Sequence, residues 1–164
     1  MEELQFYQCN METPIGTLVI KGTADFISEV NFIDHAVTAD ETVPALMQTC
    51  ITQLEEYFTG NRQVFDFAIA QPGTVFQQSV WNQLVTIPYG RTISYMQLAK
   101  DLNNPKSIRA VGTTNGKNQL AIIVPCHRVI GSDGSLTGYA GGLWRKKWLL
   151  EHERKVKYGE QQLF

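Results

Sequence analysis

The sequence has few cysteines and no long apolar run. Cys9, Cys50 and Cys126 are the only thiols among 164 residues. They make neither an even disulfide framework nor a C-x-x-C pair, which excludes a disulfide-stapled scaffold and a thiol metal knuckle and favours a reducing setting. No apolar stretch reaches the length of a membrane helix. The start, Met1-Glu2-Glu3-Leu4-Gln5, is acidic and lacks the basic and apolar regions of a secretory signal, so a soluble cytoplasmic protein is expected. Internal repeats and low-complexity tracts are also lacking.

Charge of one sign is scarce in each half. Residues 1–74 hold 2 basic and 11 acidic side chains, and residues 75–164 hold 12 basic and 5 acidic ones, so a net charge of −2 conceals balances of −9 and +7. Such a split suggests a polyanion-binding half carried by an acidic partner half, although charges that merely solvate a surface could segregate in the same way.

Leu4 to Cys9, Thr17 to Lys21 and Phe26 to Ile33 read as short strands of an antiparallel sheet, separated by turns at Pro14-Ile15-Gly16 and Gly22-Thr23-Ala24-Asp25. Pro44 to Phe58 reads as a helix, because Leu46, Cys50, Leu54 and Phe58 recur every four residues with Met47, Ile51 and Tyr57 beside them, and Gly60 suits the stop. Val64 to Ile69 could add a strand. Gln71-Pro72-Gly73-Thr74 reads as a linker between two domains.

Past the linker, Phe76, Val80, Leu84 and Val85 give an apolar helical face that ends before Pro88-Tyr89-Gly90. Ser94 should cap the next helix, with Gln97 completing a capping box. A third helix over about Lys106 to Thr114 is stopped by Asn115-Gly116. Two short helices across a tight turn outline a helix-turn-helix, whose second helix would enter a DNA groove, or else a plain helical hairpin. A last helix runs from about Gly142 to Glu153, and Lys155 to Phe164 should fray.

Val124-Pro125-Cys126-His127-Arg128-Val129 places a thiol beside an imidazole just after the apolar segment Leu120–Val124. Burial raises a thiol's pKa, so a reactive Cys126 needs a base within the fold, and His127 is the nearest one. Neighbouring side chains on a strand point to opposite faces. Contact therefore needs a bend after Pro125, or a bridging water. Cys126 could equally be ordinary core.

Pro125-Cys126-His127-Arg128-Val129 resembles the active-site signature of the O6-alkylguanine-DNA alkyltransferases. Ile93-Ser94-Tyr95, Asn104-Pro105-Lys106, Arg109-Ala110-Val111-Gly112, Asn118, Gly138-Tyr139-Ala140-Gly141-Gly142-Leu143, Trp148-Leu149-Leu150 and His152-Glu153 extend the likeness over 76–153. Thr13-Pro14-Ile15-Gly16 extends it more loosely to the N-terminal part. The resemblance implies an α+β protein with a ribonuclease-H-like α/β domain over 1–70, and a mostly α winged helix-turn-helix domain over 75–157.

The activity it implies is single-turnover repair of O6-alkylguanine in double-stranded DNA, entered from the minor groove, with O4-alkylthymine left open as a substrate. Cys126 would attack the alkyl carbon, His127 would take the thiol proton through a water, and Glu153 would orient the imidazole. Tyr95 would protonate the leaving guanine and crowd the phosphate, and Asn118 would hold the turn before the active-site segment. Arg109 resembles the family's arginine finger, which fills the stack vacated by the flipped base, with Ala110 and Gly112 allowing close approach to DNA.

The resemblance draws pocket walls from Val124 to Val129 and from Gly138 to Gly142, with Tyr139 and Ala140 among them. It implies that the backbone carbonyls of Cys126 and Val129 accept from the exocyclic amine of guanine and that a backbone N–H near Ala140 meets O6. Ala121 and Ala140 stand where some relatives carry proline and serine, which hints at a roomier pocket. No cofactor is implied. Cys9, His35 and Cys50 miss the zinc positions of some relatives, so no metal is expected, and a monomer suffices for one flipped base.

Overall fold

The computed structural model describes residues 3–159 and divides into two compact units, Met1–Gln71 and Pro72–Phe164. In the first, β1 (Tyr7–Thr13), β2 (Gly16–Gly22) and β3 (Ile27–Ile33) form an antiparallel sheet in sequence order. The pairings Cys9 with Ile20 and Met11 with Leu18 put these four on one face, and all are buried. The hairpin turns on Pro14-Ile15. Thr13 fastens it, its hydroxyl donating to the Gly16 carbonyl at 2.6 Å and accepting from the Ile15 N–H at 3.1 Å.

Helix α1 (Ala45–Phe58) packs against all three strands. Its buried stripe is Met47, Cys50, Gln53, Leu54 and Tyr57, four of them from the expected apolar face, while Leu46, Ile51 and Phe58 are only half-buried. A strict four-residue spacing overshoots each turn of 3.6 residues, so such a row drifts off the core-facing side. The expected strand Val64–Ile69 is reduced to a single parallel bridge between Ile27 and Ile69. Gln53 explains the loss in part: its side chain accepts from the Asp66 N–H and donates to the Asp66 carboxylate, satisfying from α1 a segment that would otherwise need a strand partner.

The second unit is mainly helical. Helix α2 (Val75–Leu84) starts at Thr74, whose side chain makes a reciprocal capping box with Gln77. Helix α3 (Tyr95–Asp101) is capped by Ser94 as expected, with the Gln97 N–H donating to its hydroxyl at 3.0 Å. The rest of that expected capping box is not formed, since the Gln97 side chain turns to Asp101 at 2.8 Å, the i,i+4 neighbour. A 3-10 turn over Pro105–Ser107 precedes α4 (Ile108–Gly116), and α3 packs on α4. The helix ends within the expected Asn115-Gly116 stop, its last residue being Gly116 and its cap Lys117, and the Asn115 side chain is buried and donates to the Cys126 carbonyl.

Two short strands, β4 (Ile93–Ser94) and β5 (Val129–Ile130), pair in parallel and tie the start of α3 to the end of the Pro-Cys-His-Arg-Val run. Helix α5 (Leu143–Tyr158) continues past the expected Glu153 and closes on left-handed Gly159. The Lys157 Nζ donates to the Tyr89 carbonyl at 2.9 Å, which helps hold the added turn. Of the segment expected to fray, 155–158 is helix, and residues 160–164 lie outside the described residues. No helix among the described residues is long and apolar enough to cross a membrane.

Candidate active site

The segment before Cys126 is a knot of turns, although its composition suits a strand. Ile122 has φ +73°, a left-handed value that a β-branched side chain adopts only under constraint. The Ile123 N–H reaches back to the Ala121 carbonyl at 2.8 Å, making a γ-turn, and the Cys126 N–H repeats the pattern to Val124 at 2.8 Å. Asn118 supplies the constraint. Its Nδ2 donates to the Val124 carbonyl at 2.8 Å and the Leu120 carbonyl at 3.3 Å, while its Oδ1 accepts from the Leu120 N–H at 3.1 Å. One amide thus braces both ends of the turn.

Cys126–Arg128 then forms a 3-10 turn, which supplies the bend after Pro125 that the two adjacent side chains require. Cys126, His127, Arg128 and Glu153 are all buried. Glu153 arrives from α5. Its Oε2 lies 2.7 Å from His127 Nε2 and accepts from Arg128 Nη2 at 3.1 Å. Its Oε1 accepts from Arg128 Nε at 2.8 Å and from the Gly90 N–H at 3.2 Å.

This cluster fixes the protonation states. Burial works against the Glu153 carboxylate, but the hydrogen bonds and charge of His127 and Arg128 outweigh it and hold the group well below the usual carboxylate range. Burial pushes the His127 imidazole down. Glu153 pulls it up, but the Arg128 and Lys146 cations oppose that pull, and the ring stays neutral. A neutral ring facing an ionised carboxylate must place its proton on Nε2. Nδ1 then carries the lone pair, buried and without a hydrogen-bond partner among the described residues. That atom is able to accept a proton.

The Cys126 thiol is pushed up by burial and eased down by a hydrogen bond from Asn118 and by the Lys146 charge. At rest it is a thiol that needs a base. Lys146 is itself buried, with no carboxylate partner among the described residues. Its ammonium donates to the carbonyls of Thr137 at 2.6 Å and Gly138 at 3.3 Å, and burial brings its pKa down to about 8. The Tyr95 hydroxyl donates to the same Thr137 carbonyl at 3.3 Å.

Asn115, Gly116, Asn118, Cys126, Gly138, Tyr139 and Ala140 line a cleft over the thiol. It leaves room for about one water molecule. Of the expected wall segments it takes Cys126, Gly138, Tyr139 and Ala140. Val124, Val129 and Ala121 lie outside that lining with their side chains buried, Val129 because β5 turns it inward.

Arg109, Tyr95, Gly112, Ile108 and Thr113 border a separate, open groove on the α3–α4 face. Arg109 and Ala110 are exposed on α4. A Cβ on Gly112 would meet only the Tyr95 ring, at 3.8 Å, so internal packing does not demand this glycine. The expected residues therefore fall into two groups, Cys126, His127, Glu153 and Asn118 in the buried cluster and Arg109, Ala110 and Gly112 on the outer face, with Tyr95 reaching towards both.

Arg128, Lys146, Asn115 and Gly90 were not singled out from the sequence. Arg128 had a visible signal: a charged side chain next to His127 in a buried run needs an acid partner. Lys146 had none beside Lys147, since helical phase alone separates the buried lysine from the exposed one.

The chain matches the description 6-O-methylguanine DNA methyltransferase, ribonuclease-like domain, over residues 6–71 and the DNA binding domain of the same description over 75–155. It is 45% identical to the methylated-DNA–protein-cysteine methyltransferase of Methanosarcina acetivorans over 156 residues, covering 90% of this chain and 97% of that one. The constitutive enzyme of that name from Bacillus subtilis is 41% identical, covering 94% and 99%. The crystal structure of the Mycobacterium tuberculosis O6-methylguanine methyltransferase superposes with a TM-score of 0.84 at 40% identity, covering 93% of this chain and 94% of that one. The same organism's OGT in complex with DNA gives 0.80 at 42% identity, covering 90% and 92%. By these matches, which take in both units, the chain belongs to the 6-O-methylguanine DNA methyltransferase family.

Proposed function

We propose that this protein repairs O6-alkylguanine in duplex DNA by moving the alkyl group onto its own Cys126, once per molecule. The observation that carries the reading is the buried Cys126-His127-Glu153 arrangement, with the Nε2 face of the imidazole committed to Glu153 and Nδ1 left as a base. His127 Nδ1 takes the thiol proton through a water, and the sulfur attacks the alkyl carbon. The S–C bond forms as the O6–C bond breaks. The electron pair leaves on O6, and Tyr95 donates a proton to the departing guanine. Thioether formation consumes the thiol, so a molecule that has reacted is spent.

The other parts support this chemistry. The Lys146 cation and the Asn118 amide favour the thiolate, and the strained Ile122 turn fixes Cys126 between them. A purine is far larger than the closed cleft, so its entry requires the Gly138–Ala140 wall to shift. That wall is tied to the core through the Lys146 and Tyr95 bonds to Thr137 and Gly138. Arg109, exposed on α4, would enter the minor groove and occupy the stack left by the flipped base. The second unit carries the alkyl acceptor and the DNA-binding face. Free buried thiols agree with a reducing cytoplasm.

A lesion-binding protein without transfer activity would have no use for a thiol with a base beside it, and a helix-turn-helix regulator no use for the buried triad. The test is intact-protein and peptide mass spectrometry after mixing with a duplex containing O6-methylguanine. One methyl group per molecule on the Cys126 peptide, absent in Cys126→Ser while binding persists, is the expected result. Methylation elsewhere, or transfer by Cys126→Ser near the wild-type rate, removes Cys126 as acceptor.

A further inference from the structure

Arg128 is 6% exposed, and its guanidinium closes on Glu153, which is fully buried. Nε donates to Oε1 at 2.8 Å and Nη2 to Oε2 at 3.1 Å, so one planar fork holds both carboxylate oxygens. Nη1 donates to the Ile87 carbonyl at 2.8 Å, and the guanidinium carbon lies 5.5 Å from the centre of the Tyr89 ring. Gly90, at the end of the same turn, adds its N–H to Oε1. The arginine thus joins the Ile87–Gly90 turn to the carboxylate that faces His127.

Arg128 and Glu153 together carry no net charge. Without the guanidinium the carboxylate would be a lone buried charge, which a low-dielectric interior disfavours, and a proton taken up by the Glu153–His127 pair would relieve it. That proton has two places to go. On the imidazole it gives an imidazolium, with hydrogen on both nitrogens. On the carboxyl it gives an acid whose O–H donates to Nε2, and the ring hydrogen then sits on Nδ1. Either way Nδ1 loses the lone pair that would receive the thiol proton.

The other groups around the ring do not replace this charge. Lys146, on α5, bonds the Thr137 and Gly138 carbonyls and acts on His127 less than Arg128 does. Cys126, Tyr89 and Tyr139 are pushed up by burial and stay neutral. Helix α2, which packs on the Cys126–Arg128 turn, carries no titratable side chain.

We infer that Arg128 is a positioning residue for the transfer: its positive charge stands in for a proton on the Glu153–His127 pair, and His127 Nδ1 is thereby left without hydrogen, as a base for the Cys126 thiol. The inference rests on the repair reading above and deepens it. What matters is a cation at this place. A lysine ammonium, a point charge that cannot bridge both oxygens, would still supply it.

The experiment measures single-turnover transfer from free O6-benzylguanine against pH for wild type, Arg128→Gln and Arg128→Lys. In Arg128→Gln the rate at pH 7 should fall about tenfold, the equivalent of one pKa unit in the base, and the deficit should close towards about pH 9, where the extra proton leaves. Taking the ratio to wild type cancels the charge of Lys146, which both proteins lose near a pKa of about 8. Arg128→Lys should follow the wild-type profile. Nitrogen-15 NMR of the histidine rings reads the proton itself, with His35→Gln and His152→Gln identifying the other two histidines. At pH 7 wild type should show His127 neutral with its hydrogen on Nε2, and Arg128→Gln should show hydrogen on Nδ1.

A deficit that is equal at every pH overturns the inference, because Arg128 would then only hold the fold. A deficit shared equally by Arg128→Lys overturns it too, because the fork and not the charge would matter. So does hydrogen on Nδ1 in wild type at pH 7. Should Arg128→Gln fail to fold, the wild-type spectrum and the Arg128→Lys profile carry the comparison. Absence of benzyl transfer from wild type overturns the repair reading, whereas normal transfer with a failed profile or spectrum removes this inference alone.

Discussion

Replacing Glu153 with glutamine tests the cluster at the centre of the site. The carboxylate faces donors on both sides, with Arg128 Nε and the Gly90 N–H at Oε1 and His127 Nε2 and Arg128 Nη2 at Oε2. An amide placed there has one NH2 group, which meets two donors whichever way it turns. The Arg128 guanidinium, buried and next to His127, loses its counter-charge in the same step. Breaking a buried, hydrogen-bonded ion pair from one side costs about 3–5 kcal/mol, against a typical total stability of about 5–15 kcal/mol.

Urea unfolding followed by tryptophan fluorescence reads this directly, because Trp81, Trp144 and Trp148 all lie in the second unit. With a slope of about 2 kcal/mol per molar, the midpoint should fall by about 2 M at neutral pH. Combining Glu153→Gln with Arg128→Met should cost less than the sum of the two, by about 1–3 kcal/mol, since the second change removes the stranded charge. Linkage sets the pH dependence. The folded-state pKa of Glu153 is depressed, so its contribution is complete above the unfolded value of about 4.3 and is lost as pH falls towards the folded one. The gap between wild type and Glu153→Gln should therefore stay level from pH 8 to about 5 and narrow below about 4.3. His127 is held neutral, and its uptake of a proton on unfolding weakens both proteins as pH falls through about 6.5. A loss under about 1 kcal/mol, strict additivity, or a gap that widens in acid would refute the assignment of Glu153 as the buried counter-ion.

Lys146→Met removes the cation that favours the Cys126 thiolate. Thr137 and Gly138 are exposed, so water replaces the lost donor and the protein still folds. Transfer from O6-benzylguanine at pH 7.5 should slow about tenfold, the equivalent of one pKa unit in the thiol. The difference should shrink above pH 8, because Lys146 itself, with its pKa at about 8, loses its charge there. Rates against pH, with iodoacetamide trapping of Cys126 beside them, check this, and a pH-independent deficit would leave Lys146 a purely mechanical role. Arg109→Ala should slow repair of duplex DNA strongly and leave the reaction with free O6-benzylguanine near wild type, because a plug for the base stack matters only when a base must leave it. Equal slowing on both substrates would make Arg109 a support of the site.

The fold and the site were legible in the sequence to different depths, and the difference has a physical cause. The second and third strands, the Ser94 cap and the pairing of His127 with Glu153 could be read because period, capping chemistry and family motif are local properties of the chain, whereas the first strand, expected over Leu4 to Cys9, lies at Tyr7–Thr13. The Val64–Ile69 segment reads as a strand but forms only a bridge, because a buried amide, Gln53, satisfies backbone of that segment from α1, and composition carries no mark of that partner. The turn at Ile122 was concealed more fully, because Leu120–Val124 has the composition of a strand, and hydrogen bonds from Asn118 together with the backbone bonds of the turn hold it in a conformation that Ile122 would not choose. The resemblance pointed to Asn118 as a hinge, and the geometry gives a reason. A side chain that donates twice and accepts once around a strained turn sets the position of the next reactive atom, so its loss should displace Cys126 before it destabilises the fold.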